Sequence, residues 1–296
     1  MLVHVIADFG VGDLAFAEVA QRLKRELPEA ELVLTAVPPF ATLAAGFVSA
    51  QLALNRPPPG TLVFHNVAPR RDDEGPRVDN AGERLAAAGL DDDVWVVGVH
   101  AGHAFSFLKQ AGAALRYVRA EAAGSQFRSR DLFPRAVAAV ARHDPGALGE
   151  PLPPDAVPDV PEGRIVYVDG FGNLKTSILA PGPAAPGTWV RVRVGGVDRV
   201  ALATGGSFAA PAGTLALAPG SSGWPLAAGS GGGRHGPGRH GSGRDGAGGG
   251  RAEPAAVRFM ELFLRGGSAA AAFATPSSGA PQVGAPVEVL GEVRAA

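Results

Sequence analysis

The sequence predicts a layered α/β amino-terminal domain, with a mostly parallel sheet and flanking helices, followed by a small all-β carboxy-terminal barrel. Three observations carry this. Strand-like and helix-like stretches alternate over residues 1–150. Short strand signals with turn residues between them, and no long helix, fill residues 163–296. Between the two halves lies a proline-rich linker at 151–162, within a stretch from 144 to 162 that holds six prolines. Helix and central strand are hard to sustain through it.

The elements follow in order. Leu2–Ala7 is a short apolar run that reads as a strand. Asp13 can cap a helix through Leu27, with Leu14, Ala17, Ala20, Leu23 and Leu27 on one face and Pro28 where the helix should stop. Residues 31–37 form a second strand. Residues 61–67 and 94–99 form two more, rich in the β-branched side chains of buried strands. Residues 131–142 read as a helix with Leu132, Val137, Val140 and Ala141 apolar. In the second half, strands are expected at 164–168, 188–194, 200–204, 214–218, 258–264 and 287–293. A glycine-rich insertion at about 229–252 interrupts them. It carries His235 and His240 but no residue that packs, and it reads as flexible coil, with a metal or anion tether as the alternative.

Composition narrows the function classes. Gly and Pro make up 68 of 296 residues, just under the ~25–30 % that marks wholesale disorder. An apolar share of 46 % is enough for a core. A net charge of −1 provides no general field to recruit nucleic acid or an anionic membrane. Cysteine is absent, which excludes disulfides, thiolate zinc sites and a cysteine nucleophile. The start, MLVHVIADFG, has no basic n-region, and no run of ~18 apolar residues occurs, so a cytoplasmic protein is expected. Only three of the 27 basic residues are lysine, a bias that carries no mechanism.

Three clusters carry chemistry. Ala7-Asp8-Phe9-Gly10-Val11-Gly12-Asp13 follows the first strand and opens the first helix, at the strand end where α/β sheets bind ligands. Two carboxylates there argue against phosphate, which wants bare N–H groups, and suit the hydroxyls of a ribose. Read alone, Asp13 is equally a helix N-cap and Asp8 a turn residue. Val168-Asp169-Gly170-Phe171-Gly172-Asn173 offers a carboxylate, an aromatic face and an amide, and equally reads as a hairpin turn. Gly220-Ser221-Ser222-Gly223 and Arg265-Gly266-Gly267-Ser268-Ala269-Ala270 are weak turn signals.

Taken in order, IADFGVGD, PPF, FRSRDLF, VDGFGNLKTSI, GSSG and MELFLRGGSAA resemble the S-adenosylmethionine hydroxide adenosyltransferase family, which includes fluorinases and chlorinases. The resemblance spans nearly the whole chain, and VDGFGNLKTSI is its most specific piece. It implies an S-adenosylmethionine substrate, no metal or other cofactor, and a homotrimer with sites between subunits. In those sites the amino-terminal domain of one subunit faces the barrel of its neighbour. Asp8 then falls on the ribose diol, and Asp13 and Asp169 on the methionine end. Ser221 falls on the methionine carboxylate, and Asn173 and Gly266 on the base. Phe171 and Phe208 surround the adenine, and Phe40 covers the sugar and sulfonium. Carboxylates and aromatic faces suit a cationic sulfonium. The implied reaction is attack by hydroxide or halide on the ribose 5′-carbon, with methionine leaving as a neutral thioether.

The chain departs from the family around the attacking water. The family's Asp is Ala68, its His is Arg128, and Arg77 stands for its Arg in a longer segment that also holds Arg70, Arg71, Asp72, Asp73 and Glu74. The family's P-D-N-G turn reads Val99-His100-Ala101-Gly102, and the methionine-side Arg of the fluorinase is Ser222. Of the hydroxyl-lined halide pocket only Phe127 and Ser129 remain, so the resemblance implies hydroxide chemistry. Arg77 and Arg128 are then expected to lower the pKa of water, with His100 or His103 taking the proton. The alternatives are a silent adenosyl-binding trimer, a drift to another nucleoside, or surface and structural roles for these side chains.

Overall fold

The computed structural model describes residues 1–69, 82–121, 124–225 and 256–293. The first sheet contains β1 (Leu2–Ala7), β2 (Glu31–Ala36), β3 (Leu62–Asn66), β4 (Leu85–Gly89), β5 (Trp95–Val99), β6 (Leu115–Val118) and β7 (Leu148–Pro151). Their order is β2-β1-β3-β5-β4-β6-β7. Strands β2, β1, β3 and β5 run parallel, and the pairs β5–β4, β4–β6 and β6–β7 are antiparallel, so the sheet is mixed. β7 takes its proline at the sheet edge, where no ladder N–H is needed.

Alternation along these strands builds a core on each face. Val3, Val5, Leu62, Phe64 and Val97 face α1 (Leu14–Glu26), while Ile6, Val63 and Val96 face α2 (Thr42–Leu54) and α3 (Ser106–Gln110). Asp13 caps α1, its Oδ1 accepting from the N–H of Ala15 at 2.8 Å. The buried stripe of α1 is Phe16, Val19 and Leu23, and Leu14 is 72 % exposed. The expected Leu14–Ala17–Ala20 face gives way because Phe16 and Val19 bury more apolar surface. The expected helix at 131–142 breaks at Leu132 into α4 (Arg128–Asp131) and α5 (Phe133–Ala141). Pro134 has no N–H for a continuous ladder and disfavours helical backbone just before it.

α2 is buried nearly all round, because the second sheet packs on its other side. That sheet holds β8 (Ile165–Val168), β9 (Leu174–Leu179), β10 (Trp189–Val194), β11 (Val197–Ala203), β12 (Leu215–Pro225), β13 (Ala256–Leu264) and β14 (Val287–Glu292). Its order is β14-β10-β11-β12-β13-β9-β8, antiparallel except for β11–β12. It curls until its two ends meet at a bridge between Arg164 and Pro286, enclosing Ile165, Val192, Leu217, Leu262 and the start of α6 (Ala269–Ala272). Phe47 and Phe107 from the first half interlock with Trp224 and Phe259 from the second, at centroid distances from 5.3 to 6.1 Å. The proline-rich segment is strapped to α3, where Lys109 Nζ and Ser106 Oγ donate to the carbonyls of Val157 and Pro158, each at 2.7 Å.

Candidate functional site

The β8–β9 turn is built by one side chain. Asp169 Oδ1 accepts from the backbone N–H of Phe171 and of Asn173, each at 3.0 Å, and Oδ2 accepts from Asn173 Nδ2 at 2.9 Å. Gly172 completes the turn at φ +78°, and a Cβ there would lie 2.1 Å from Ser268 Oγ. Phe171 is thereby held outward, 81 % exposed.

This turn forms one wall of an open cleft of about 620 Å³ on the second sheet. Of the residues expected at the site, Asp169, Phe171, Asn173, Phe208, Ser221 and Gly266 all line it. They come from the β8–β9 turn, the β11–β12 connection, β12 and the turn after β13. Phe208 is 90 % exposed at its rim. Arg265, from the turn signal at 265–270, lines it too, and three further lining groups, Lys175, Glu261 and Phe263, were not singled out from the sequence. Their signal was a lone charge inside an apolar strand, at Lys175 in LKTSI and at Glu261 in MELFL.

The other expected residues gather at the carboxyl end of β1, on the first sheet. Asp8 Oδ2 accepts from the N–H of Phe40 at 2.9 Å and holds Phe40 at φ +61°, 48 % exposed. Asp13 is exposed at the start of α1. Phe9 bridges Phe16 and Phe127 edge to face, at 5.2 and 5.9 Å. Ser129 is buried in α4. Next to it, the Arg130 guanidinium brings the Asp131 carboxyl down to about 2. None of Asp8, Asp13, Phe40, Phe127 or Ser129 lines the cleft of the second sheet.

The residues expected to act on water have other engagements. Arg128 Nη1 donates to the carbonyl of Glu83 at 3.0 Å, Nη2 lies 3.5 Å from Glu83 Oε2, and the guanidinium sits 5.2 Å from the Phe133 ring. His100 Nε2 lies 3.0 Å from the carbonyl oxygen of Ala156, and its ring meets Tyr117 edge to face. His103 Nδ1 lies 3.2 Å from Ser106 Oγ, and burial lowers its pKa. Arg70, Arg71, Asp72, Asp73, Glu74 and Arg77 lie outside the described residues, as does the glycine-rich insertion with His235 and His240. Among the described residues, no helix is long and apolar enough to cross a membrane.

No protein-family model matches the chain, and no curated protein matches it in sequence. Solved structures do match. An uncharacterised conserved protein of Thermotoga maritima superposes with a TM-score of 0.64 at 18 % identity, over 97 % of this chain and 100 % of that one. A conserved hypothetical protein of Thermus thermophilus superposes with a TM-score of 0.60 at 23 % identity, over 97 % and 99 %. The shared feature is the two-sheet fold.

Proposed function

We propose that this chain binds S-adenosylmethionine and attacks its ribose 5′-carbon with water or hydroxide, releasing adenosine and methionine, in the manner of the S-adenosylmethionine hydroxide adenosyltransferases it resembles. One observation carries the reading: Asp169, Phe171, Asn173, Phe208, Ser221 and Gly266 share one cleft. They are the six residues that the resemblance gives to one side of such a ligand. Two bare aromatic faces suit a purine and a sulfonium.

The active assembly is a homotrimer. Asp8, Asp13 and Phe40 stand on the first sheet, outside the cleft, while the ligand needs both sets. A neighbouring copy supplies the missing half, and Phe40, Phe171 and Phe208 become covered. Light scattering should give about three times the chain mass of 29.9 kDa, and a mass near one chain overturns the trimer.

In the reaction, an oxygen lone pair forms the C5′–O bond as the C5′–S bond breaks, and the C5′–S bonding pair leaves with sulfur to give the neutral thioether. Opposite charges are annihilated, so a dry site favours the step and in-line positioning contributes much of the rest. Arg77 and Arg128 favour hydroxide over water. His100 is the proton acceptor. With a carbonyl at Nε2, the neutral ring keeps its proton there and leaves the Nδ1 lone pair to accept one.

A second reading is a catalytically silent adenosyl-binding trimer. Two observations favour it: the hold of Glu83 on Arg128, and Ala68 where the family has Asp. Incubation with S-adenosylmethionine, followed by chromatography for adenosine, separates the two. Adenosine above the uncatalysed background supports turnover. Binding without product selects the silent trimer, and no binding removes both.

A further inference from the structure

A second groove, of about 320 Å³, lies at the seam between the two halves, where the end of α2 meets β12 and β13. Ser221 is the one residue that lines both this groove and the cleft. Gln51 Oε1, on α2, accepts from the N–H of Gly223 on β12 at 2.7 Å and fixes the two walls against each other. Arg56 stands on one wall, just past α2, and Arg258 on the other, on β13. Both are exposed. Among the described residues, neither guanidinium has a hydrogen bond or an ion pair. The lining of the groove holds no acidic side chain. Asp91 and Asp92 line a neighbouring groove that shares Arg56, but among the described residues no ion pair joins them to it. Arg258 pairs across the strands with Gly223, so no cross-strand side chain covers it. Arg56 sits at φ +52°, where the backbone alone favours Gly or Asn, and a long cationic side chain stands there instead. Ser222 lines the groove beside them. It is only 6 % exposed, and its hydroxyl has no partner among the described residues. A buried hydroxyl left without a partner is costly.

We propose that this groove binds a phosphate-type oxyanion, gripped by the Arg56 and Arg258 guanidiniums with the Ser222 hydroxyl as a third donor. A guanidinium presents its donors in a planar fork that matches two oxygens of such an anion. Two like charges that share one groove repel, and a dianion between them removes that cost. The two arginines come from different halves of the molecule, so the anion bridges the seam and stabilises the folded chain by mass action. The site is complete within one chain. It is independent of the nucleoside reading above, whose ligand needs a neighbouring copy.

Calorimetry and thermal unfolding of the full-length protein test it, with inorganic phosphate and glycerol 3-phosphate as separate probes and chloride at equal ionic strength as the control. Binding of either probe, with a rise in melting temperature beyond that in chloride, supports the site. The tighter of the two shows whether the group arrives as the inorganic anion or on a carbon chain. Arg56→Asn, which suits the left-handed backbone, and Arg258→Gln should each weaken the anion about tenfold or more. Each should leave S-adenosylmethionine and adenosine within about twofold of the wild type. No anion binding by the wild type at millimolar concentration, or binding that neither variant weakens, overturns the site. A matching loss of S-adenosylmethionine in both variants would place the arginines in the nucleoside site and overturns a separate one. Failure of the wild type to bind S-adenosylmethionine or adenosine, with anion binding intact, removes the nucleoside reading alone.

Discussion

Asn173 points its Nδ2 at Oδ2 of Asp169, 2.9 Å away. A carboxylate only accepts, so the amide must turn its NH₂ toward Asp169 and leave Oδ1 as an acceptor. Asp169 is thus a positioning residue for Asn173 as well as the anchor of the turn. Asp169→Ala removes three internal hydrogen bonds and should cost about 1–3 kcal/mol of stability. It should also weaken adenosine, because the amide is free to flip. Denaturant unfolding and calorimetry measure the two effects. Unchanged adenosine affinity in a folded variant would show that the amide orientation is irrelevant.

Phe171 and Phe208 are 81 % and 90 % exposed, so neither supports the fold of one chain. Truncating either to Ala should change chain stability by less than about 0.5 kcal/mol. Stacking on a base is worth about 1–3 kcal/mol, so adenosine should bind about 5- to 150-fold more weakly. A variant that melts far below the wild type yet binds normally would make these rings structural.

Much of the fold could be read in the sequence where a short strand is buried on both faces and so shows as a continuous apolar run. β1 showed as an apolar run, β3 and β5 as β-branched runs, and Asp13 marked the start of α1. α2 was missed because Thr42, Leu43, Ala44, Phe47, Ser49 and Ala53 are all buried, and a helix covered on every side has no 3.6-residue stripe to detect. β9 hid inside the motif VDGFGNLKTSI, read for its chemistry rather than its pairing. At the site, turn-forming residues were visible because Gly, Asp and Asn carry local signals. Lys175 and Glu261 were not, because they meet only through strand pairing 86 positions apart.

His65 is fully buried, and both ring nitrogens lack a hydrogen-bond partner among the described residues. Phe105 meets its ring edge to face at 4.9 Å. Burial lowers its pKa from 6.5 to about 3. The unfolded chain takes up a proton below pH 6.5 that the folded protein refuses until about pH 3. Stability is therefore full above pH 6.5 and declines as pH falls through that window, by up to about 1.4 kcal/mol per pH unit. His65→Leu should flatten this acid slope in unfolding measured from pH 8 to pH 4. The same slope in the variant would assign the acid sensitivity to other groups.

Phe47 joins the two halves of the molecule. Its ring meets Phe107 at 5.5 Å, Phe259 at 5.7 Å and Tyr167 at 6.5 Å, and it is only 2 % exposed. The cleft-bearing sheet is therefore held to α2 by packing and not only by the chain that connects them. Phe47→Ala opens a cavity at that seam and should cost about 3–5 kcal/mol. Because Phe259 lies on β13, two positions from Glu261, loosening the seam should also disturb the inner end of the cleft. Calorimetric unfolding of the wild type should show one cooperative transition, and the variant should melt lower or split into two. Retention of a single transition at the wild-type temperature would mean that the two sheets are coupled elsewhere.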